Sequence, residues 1–257
     1  MARLDAALVA RGMVSGRDRA AALIREGRVR VNGRVQEKPS AAVSEEDVLE
    51  ADDTPYVGRG GLKLAHALRV FALDVRGVTA VDLGASTGGF TDCLLQNGAA
   101  RVYAIDVGHG QLDARLRADA RVTSLEGVNA RTVTRATIGG VVPELVVADL
   151  SFISLRAVYP VIAGLLDERG RAVTLVKPQF EAGRAAVGKN GVVHDRAAHM
   201  RVLEELEEAA RASGLYIENV CVSPIRGGEG NVEYLALYGR QSGGKRHDYA
   251  AITGAKR

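Results

Sequence analysis

The chain has 257 residues, a formal net charge of +3 at pH 7, 47% hydrophobic and 25% charged residues, and two cysteines. These values fit a globular protein built as one large domain, or as a medium domain with a small one attached. No apolar run approaches the ~20 residues of a membrane span, the N-terminus does not read as a secretory signal, and Cys93 and Cys221 lack metal-ligand spacing, so buried thiols in a reducing cytosol are expected.

The charge is uneven. Residues 1–38 carry nine Lys or Arg against four acids, residues 39–55 carry six acids and no base, and the tail from Arg240 carries five bases and one acid. A basic head and tail suit a polyanionic partner, because phosphate contacts supply most non-specific nucleic-acid affinity. Charge alone leaves a merely solvated surface equally open.

Residues 3–10 predict a short helix with Leu4, Ala7 and Leu8 on one face, stopped by Gly12. Ser15 is the expected N-cap of a second helix over 16–26, ended by Gly27. Alternating residues 28–31 and 34–35 flank Asn32-Gly33, the strongest short hairpin signal. Residues 1–53 therefore form a small α+β unit of helix, helix and hairpin. It resembles the RNA-binding module shared by a small-subunit ribosomal protein, pseudouridine synthases and tyrosyl-tRNA synthetases. Its candidate RNA-binding residues are Arg3, Arg11, Arg17, Arg19, Arg28 and Arg30. Acidic residues 44–53 and Pro55 mark a linker, placed at 54–60.

Beyond it, a helix is predicted over 62–71 and strands over 78–83, 101–106, 121–125, 144–149, 172–177, 216–223 and 233–238. Helices over 89–97, 112–117, 155–166 and 197–213 separate most of them. This alternation predicts an α/β fold, a doubly wound, Rossmann-like sheet spanning residues 61–240. The last two strands lack a helix between them and read as an antiparallel pair at the edge. That ending is typical of the S-adenosylmethionine (SAM) methyltransferases. The basic tail, 241–257, is expected to lack fixed structure.

The first strand of this sheet ends in Asp82-Leu83-Gly84, followed by Ala85-Ser86-Thr87-Gly88-Gly89-Phe90. Glycines let the backbone approach a ligand closely, but Ser86 breaks the Gly-x-Gly-x-x-Gly pattern of dinucleotide sites. Asp106 ends the second strand, where a carboxylate can bind ribose hydroxyls of either cofactor class. Asp82 favours a cationic ligand with an amino group, such as SAM, over a pyrophosphate. Glu126 is a candidate contact on the adenine side, or a solvent-facing loop acid.

Asp149 and Lys177 end two strands, Glu233 opens another, and Lys63 lies in the helix before the first. In an open α/β sheet these positions converge on one crevice. Asp149 is followed by Leu-Ser-Phe, not by the Pro-Pro-aromatic run of base-amino methyltransferases, and neither cysteine sits where a cytosine C5 nucleophile would. A ribose hydroxyl must instead lose its proton as its oxygen attacks a methyl carbon. Lys177 is the candidate to assist that loss, with Lys63 adding charge and Asp149 and Glu233 holding the lysines near the sulfonium. The five histidines show no metal-ligand spacing, and no metal is expected. Residues 177–195 form a glycine-rich loop that could close over substrate.

Five stretches carry a family resemblance: 57–64, 82–91, 148–154, 176–181 and 230–234. They resemble the TlyA, hemolysin A-like, ribosomal RNA methyltransferases, whose catalytic domain is similar to FtsJ-type 2′-O-methyltransferases. The Lys-Asp-Lys-Glu tetrad of the latter falls on Lys63, Asp149, Lys177 and Glu233. The resemblance implies SAM-dependent 2′-O-methylation of cytidine in ribosomal RNA, on 30S and 50S subunits, by a cytoplasmic protein without stable membrane association, with a monomer favoured. The extended head favours the type that modifies both 16S and 23S RNA. Such methylation confers sensitivity to capreomycin-like antibiotics in actinobacterial relatives. The linker Thr54-Pro55-Tyr56-Val57 lacks the Arg-x-Trp-Val form of some relatives. A membrane-active hemolysin and a non-catalytic ribosome assembly factor are the competing readings.

Overall fold

A computed structural model describes residues 1–227, 230–242 and 247–255. The chain divides into two compact units, Met1–Arg59 and Gly60–Arg257.

In the first unit, β1 (Ala2–Arg3) leads into α1 (Leu4–Ala10), followed by α2 (Arg17–Arg25). Then come β2 (Val29–Val31), β3 (Arg34–Val35), β4 (Ala42–Val43) and β5 (Leu49–Ala51). Leu4, Ala7 and Leu8 of α1 pack with Ala20, Leu23 and Ile24 of α2 in one apolar core. The turn between β2 and β3 places Asn32 and Gly33 both at positive φ, 51° and 77°, as a two-residue hairpin of matching twist requires. Two expectations are corrected. Gly16, not Ser15, is the N-cap of α2, and no side chain caps it. The acidic stretch is not all linker. Leu49–Ala51 pairs antiparallel with β2, and buried Leu49 joins the core, which draws this segment into the unit despite its charge.

The second unit opens with α3 (Gly60–Val70), two residues earlier than expected, because Gly60 and Gly61 join the first turn. It continues with β6 (Thr79–Leu83), α4 (Gly89–Gln96), β7 (Arg101–Asp106), α5 (Ala114–Ala118) and β8 (Val122–Glu126). Next are β9 (Leu145–Ala148), α6 (Tyr159–Leu165), β10 (Arg171–Val176) and α7 (Pro178–Glu181). The unit ends with α8 (Arg196–Ala212), β11 (Tyr216–Val222), β12 (Tyr234–Gly239) and α9 (Tyr249–Thr253).

The seven strands form one sheet in the order β11-β12-β10-β9-β6-β7-β8. Pairing is parallel from β10 through β8, and β12 runs antiparallel to both β10 and β11. So β12 inserts between β10 and β11, and β11 is the edge. Strand order reverses between β6 and β9, which opens a crevice at their carboxyl ends. β9 is apolar and buried along its length, and β10 is buried from Ala172 to Val176, as central parallel strands are.

The tail departs from expectation. Its helix α9 is capped by Asp248, and Tyr249 is buried and donates from its hydroxyl to Glu207 Oε2 of α8 at 2.7 Å. His247 Nε2 lies 3.0 Å from the carbonyl of Ile217 on the edge strand. An aromatic side chain with apolar surface to bury holds this segment down. The bases Lys245, Arg246, Lys256 and Arg257 lie outside the described residues.

Candidate functional site

The ends of β6, β7 and β9 surround a cleft of about 500 Å³. Gly84 lets two strand ends approach closely. At φ +82°, a Cβ on it would meet the Asp149 carbonyl oxygen at 2.8 Å and a Leu150 methyl at 2.9 Å. Asp106 organises the opposite wall. Its Oδ2 accepts from Ser86 N at 2.8 Å and its Oδ1 from Gly108 N at 2.7 Å. Each oxygen keeps a lone pair for a ligand hydroxyl.

Of the expected cofactor residues, Gly84, Ser86, Asp106 and Asp149 line this cleft. Ala85, Thr87, Gly88, Gly89 and Phe90 do not. They form the turn and the start of α4, with Gly88 at φ +99° and Phe90 buried. Glu126 is not on this wall, and its Oε2 accepts from Gly110 N at 2.8 Å.

Asp82 also departs from expectation. It is 0% exposed and accepts from Thr91 Oγ1 of α4 at 2.7 Å. Burial pushes its carboxyl up to about 7, with Asp149 and Asp106 adding repulsion and the Thr91 bond opposing. It lies beneath the turn, not on the cleft wall. The residues that sequence reasoning missed are on the far side: Gln111, Val128, Asn129 and Arg131, and the 150–153 loop after β9. Only the position of Gly127-Val128-Asn129 just after a strand end could have signalled them.

The four candidate catalytic side chains come together as two ion pairs. Lys177 Nζ lies 2.7 Å from Asp149 Oδ1, and donates to Ser151 Oγ at 2.9 Å. Lys63 Nζ lies 2.6 Å from Glu233 Oε2, with both residues buried. Register links the pairs. Val176 faces Tyr234 across the antiparallel β10–β12 ladder, so Lys177 and Glu233 follow on as neighbours. A Cβ on Gly60, at the start of the helix that carries Lys63, would lie 3.7 Å from Asp149 Oδ2. The result is an alternating chain of acids and amines at the crevice.

An aromatic pair stands at the same mouth. Phe152 is 91% exposed, has φ +63°, and its ring lies 5.0 Å from that of Phe180. A bulky residue in the left-handed region is strained, and such strain clusters at functional sites.

The arginines of the first unit divide in two. Arg28 donates to Thr54 O and Oγ1 and to Tyr56 O, and Arg11 donates to the carbonyls of Ser44, Glu45 and Asp47. Arg19 pairs with Asp53 at 2.7 Å. These three hold the acidic segment of their own unit. Arg3 pairs with Asp5 at 2.7 Å, Arg17 reaches the same acid at 3.6 Å, and Arg30 donates to Gly33 O. Arg3, Arg17, Arg25, Arg30 and Arg34 are exposed, and so is Arg11 despite its bonds.

Cys93 is buried, and burial pushes the half-buried Cys221 thiol up to about 11. Among the described residues, no helix is long and apolar enough to cross a membrane.

Residues 56–240 match the FtsJ-like methyltransferase family and residues 2–49 the S4 domain. A 16S/23S rRNA (cytidine-2′-O)-methyltransferase, TlyA of Mycobacterium tuberculosis, is 48% identical over 91% of this chain and 88% of its own length. A 23S rRNA (cytidine-2′-O)-methyltransferase from Campylobacter jejuni is 34% identical over 78% of this chain and 80% of its own. The solved structure of a hemolysin-named protein from Streptococcus thermophilus is similar with a TM-score of 0.77 and 39% identity, covering 98% of this chain and 94% of that one.

Proposed function

Because the chain belongs to the TlyA family of FtsJ-like methyltransferases, with an S4 domain at its N-terminus, we propose that it methylates the 2′-hydroxyl of cytidine in both 16S and 23S ribosomal RNA. The observation that carries this reading is the pair of ion pairs, Lys177–Asp149 and Lys63–Glu233, of which Asp149 forms part of the wall of a cleft of about 500 Å³. SAM, when bound, supplies an electrophilic methyl carbon. The residues fit it: Gly84 lines the cleft and lets the ends of β6 and β9 close around it, and Asp106 offers lone pairs to ribose hydroxyls.

The chain's own groups then have distinct tasks. Lys177 would act as the neutral amine, having first given up a proton to solvent: it would take the ribose proton while the hydroxyl oxygen bonds to the methyl carbon and that carbon's bond to sulfur breaks, leaving a neutral thioether. Asp149 and Ser151 fix the lysine's direction. Lys63, held by Glu233, orients the hydroxyl and adds positive charge where oxygen becomes negative. Phe152 gives an exposed ring on which a flipped base can stack. The exposed arginines of the S4 domain grip folded RNA by its phosphates. The higher identity to the relative named for both RNAs supports the dual reading over the large subunit alone. The setting is the cytoplasm, on 30S and 50S subunits, and the protein acts as a monomer. Cells that lose the activity lose sensitivity to capreomycin-like peptides.

The test is methyl transfer from labelled SAM to separated subunits from a strain lacking the enzyme, beside the Lys177→Ala variant. The expected product is 2′-O-methylcytidine on both subunits, absent with the variant. Label on one subunit alone would refute the dual reading. Label that persists in the variant would refute the assigned base.

A further inference from the structure

We infer that Glu181 is a positioning residue for methyl transfer, fastening the loop after Asp149 to the segment after Lys177. This rests on the catalytic reading above. Glu181 is the last residue of α7, the short helix that Lys177 caps. Its carboxyl is buried, and Arg156 acts on it only through its charge, without a salt bridge. Both oxygens are used on one target. Oε2 accepts from Ser154 Oγ at 2.6 Å and Oε1 accepts from Leu155 N at 2.8 Å. Ser154 Oγ in turn accepts from Arg156 N at 3.2 Å, capping the 3-10 turn Leu155–Ala157.

The segment so held is the one that starts at Asp149, and its residues 150–153 wall the cleft. Three ties join it to residues 177–181. At the mouth, Lys177 reaches Asp149 and Ser151. In the middle, Phe152 meets Phe180. At the base, Glu181 grips Ser154 and Leu155. Phe152 holds a positive φ, which persists only where surroundings over-determine it. The base tie is the buried one of the three, and so the one that solvent loosens least. A buried carboxyl is costly, and burial indeed pushes its proton affinity up, with the Ser154 and Leu155 bonds opposing. An apolar side chain would fill the same space without that cost. The carboxyl's use is geometric: it sets where Asp149, and through it Lys177, stand relative to the cleft.

The variants are Glu181→Ala, Glu181→Gln and Ser154→Ala, in the full chain, each checked by thermal unfolding. Single-turnover methyl transfer is measured with saturating ribosomal subunits and SAM, and SAM affinity is measured without RNA. Glu181→Ala should slow transfer on the order of 10- to 100-fold, since misplacement by about 1 Å costs that much, and weaken SAM several-fold through the loosened wall. Glu181→Gln accepts from Leu155 N with its carbonyl and donates to Ser154 Oγ, so it should stay within about threefold of wild type. Ser154→Ala should fall between them, and it serves as the decisive variant if the alanine at 181 does not fold. A folded Glu181→Ala within twofold of wild type in rate would overturn the inference, as would a glutamine variant as slow as the alanine one. If the wild type methylates no subunit, the catalytic reading fails separately. SAM affinity then decides the clamp: unchanged affinity in all three variants refutes it.

Discussion

Lys177 Nζ stands 2.7 Å from Asp149 Oδ1 although the two residues are 28 positions apart, each the first residue past its strand. Parallel pairing of β9 with β10 brings their carboxyl ends together, and the polar residues fall where the apolar runs stop. The proximity follows from topology. The proton transfer asked of Lys177 contributes ~10²- to 10⁴-fold in comparable acid–base catalysis. Lys177→Ala should lower single-turnover methyl transfer by about that factor. SAM affinity, measured by calorimetry, should change little, because Lys177 is not on the cleft wall. A variant that transfers methyl at the wild-type rate would exclude lysine as the base.

Lys63 and Glu233 form a second pair whose burial makes it a stability element as well. Removing one partner of a buried pair leaves an uncompensated charge, at a cost of about 3–5 kcal/mol, whereas replacing both by apolar groups is often near neutral. Lys63→Met and Glu233→Leu should each be strongly destabilised in urea titrations. The double variant should regain most of that stability yet stay inactive. Recovery of activity along with stability would show that the pair serves folding alone.

Asp82 yields a pH prediction. Its folded-state pKa is raised, from an ordinary 3.8 to about 7, chiefly by burial. Between these values the folded state binds the extra proton, so stability is highest below the lower one and falls as pH rises through the window. A shift of about 3 units corresponds to roughly 4 kcal/mol at full development. Asp82→Asn keeps an acceptor for Thr91 Oγ1 and has no proton to lose. Urea unfolding at pH 5 and pH 8 should show a markedly smaller drop for the variant than for wild type. Equal drops would mean that another group titrates there.

How much of this was legible in the sequence differs by element, for physical reasons. The parallel strands announce themselves because burial on both faces demands near-continuous apolar runs, as in Leu145–Ala148 and, with one threonine, residues 172–176. The candidate tetrad follows, because strand ends are legible and topology does the rest. Asp82 misleads because a residue at a strand end can point into the sheet's packing as easily as into the crevice. Position along the chain does not say which. The cleft's far wall, Asn129 and Arg131, lies in a short irregular turn with no periodicity to read. Helix α9 was missed because five residues carry too little pattern, and its order comes from the tertiary contact of Tyr249 with Glu207. In the S4 domain, composition reported an excess of arginine but not its use.

That use separates the arginines experimentally. Arg28 is half-buried and bonded to Thr54 and Tyr56, and it lies 3.3 Å from Asp52. Arg28→Ala strips donors from buried or half-buried acceptors, which costs about 1–3 kcal/mol, so it should lower the unfolding temperature of the full chain. Arg30 is exposed on β2 and donates to the hairpin carbonyl of Gly33. Arg30→Glu should leave unfolding unchanged but weaken binding to ribosomal subunits. A residue that contacts one phosphate should also lower the slope of log affinity against log salt by about 1. The measurement is subunit binding from low to moderate salt for wild type, Arg30→Glu and Arg28→Ala at a temperature where all are folded. If Arg30→Glu keeps both affinity and slope, β2 does not face RNA. If Arg28→Ala keeps its stability but loses the slope, the internal bonds of Arg28 yield to phosphate on binding, and the division drawn from the free protein fails.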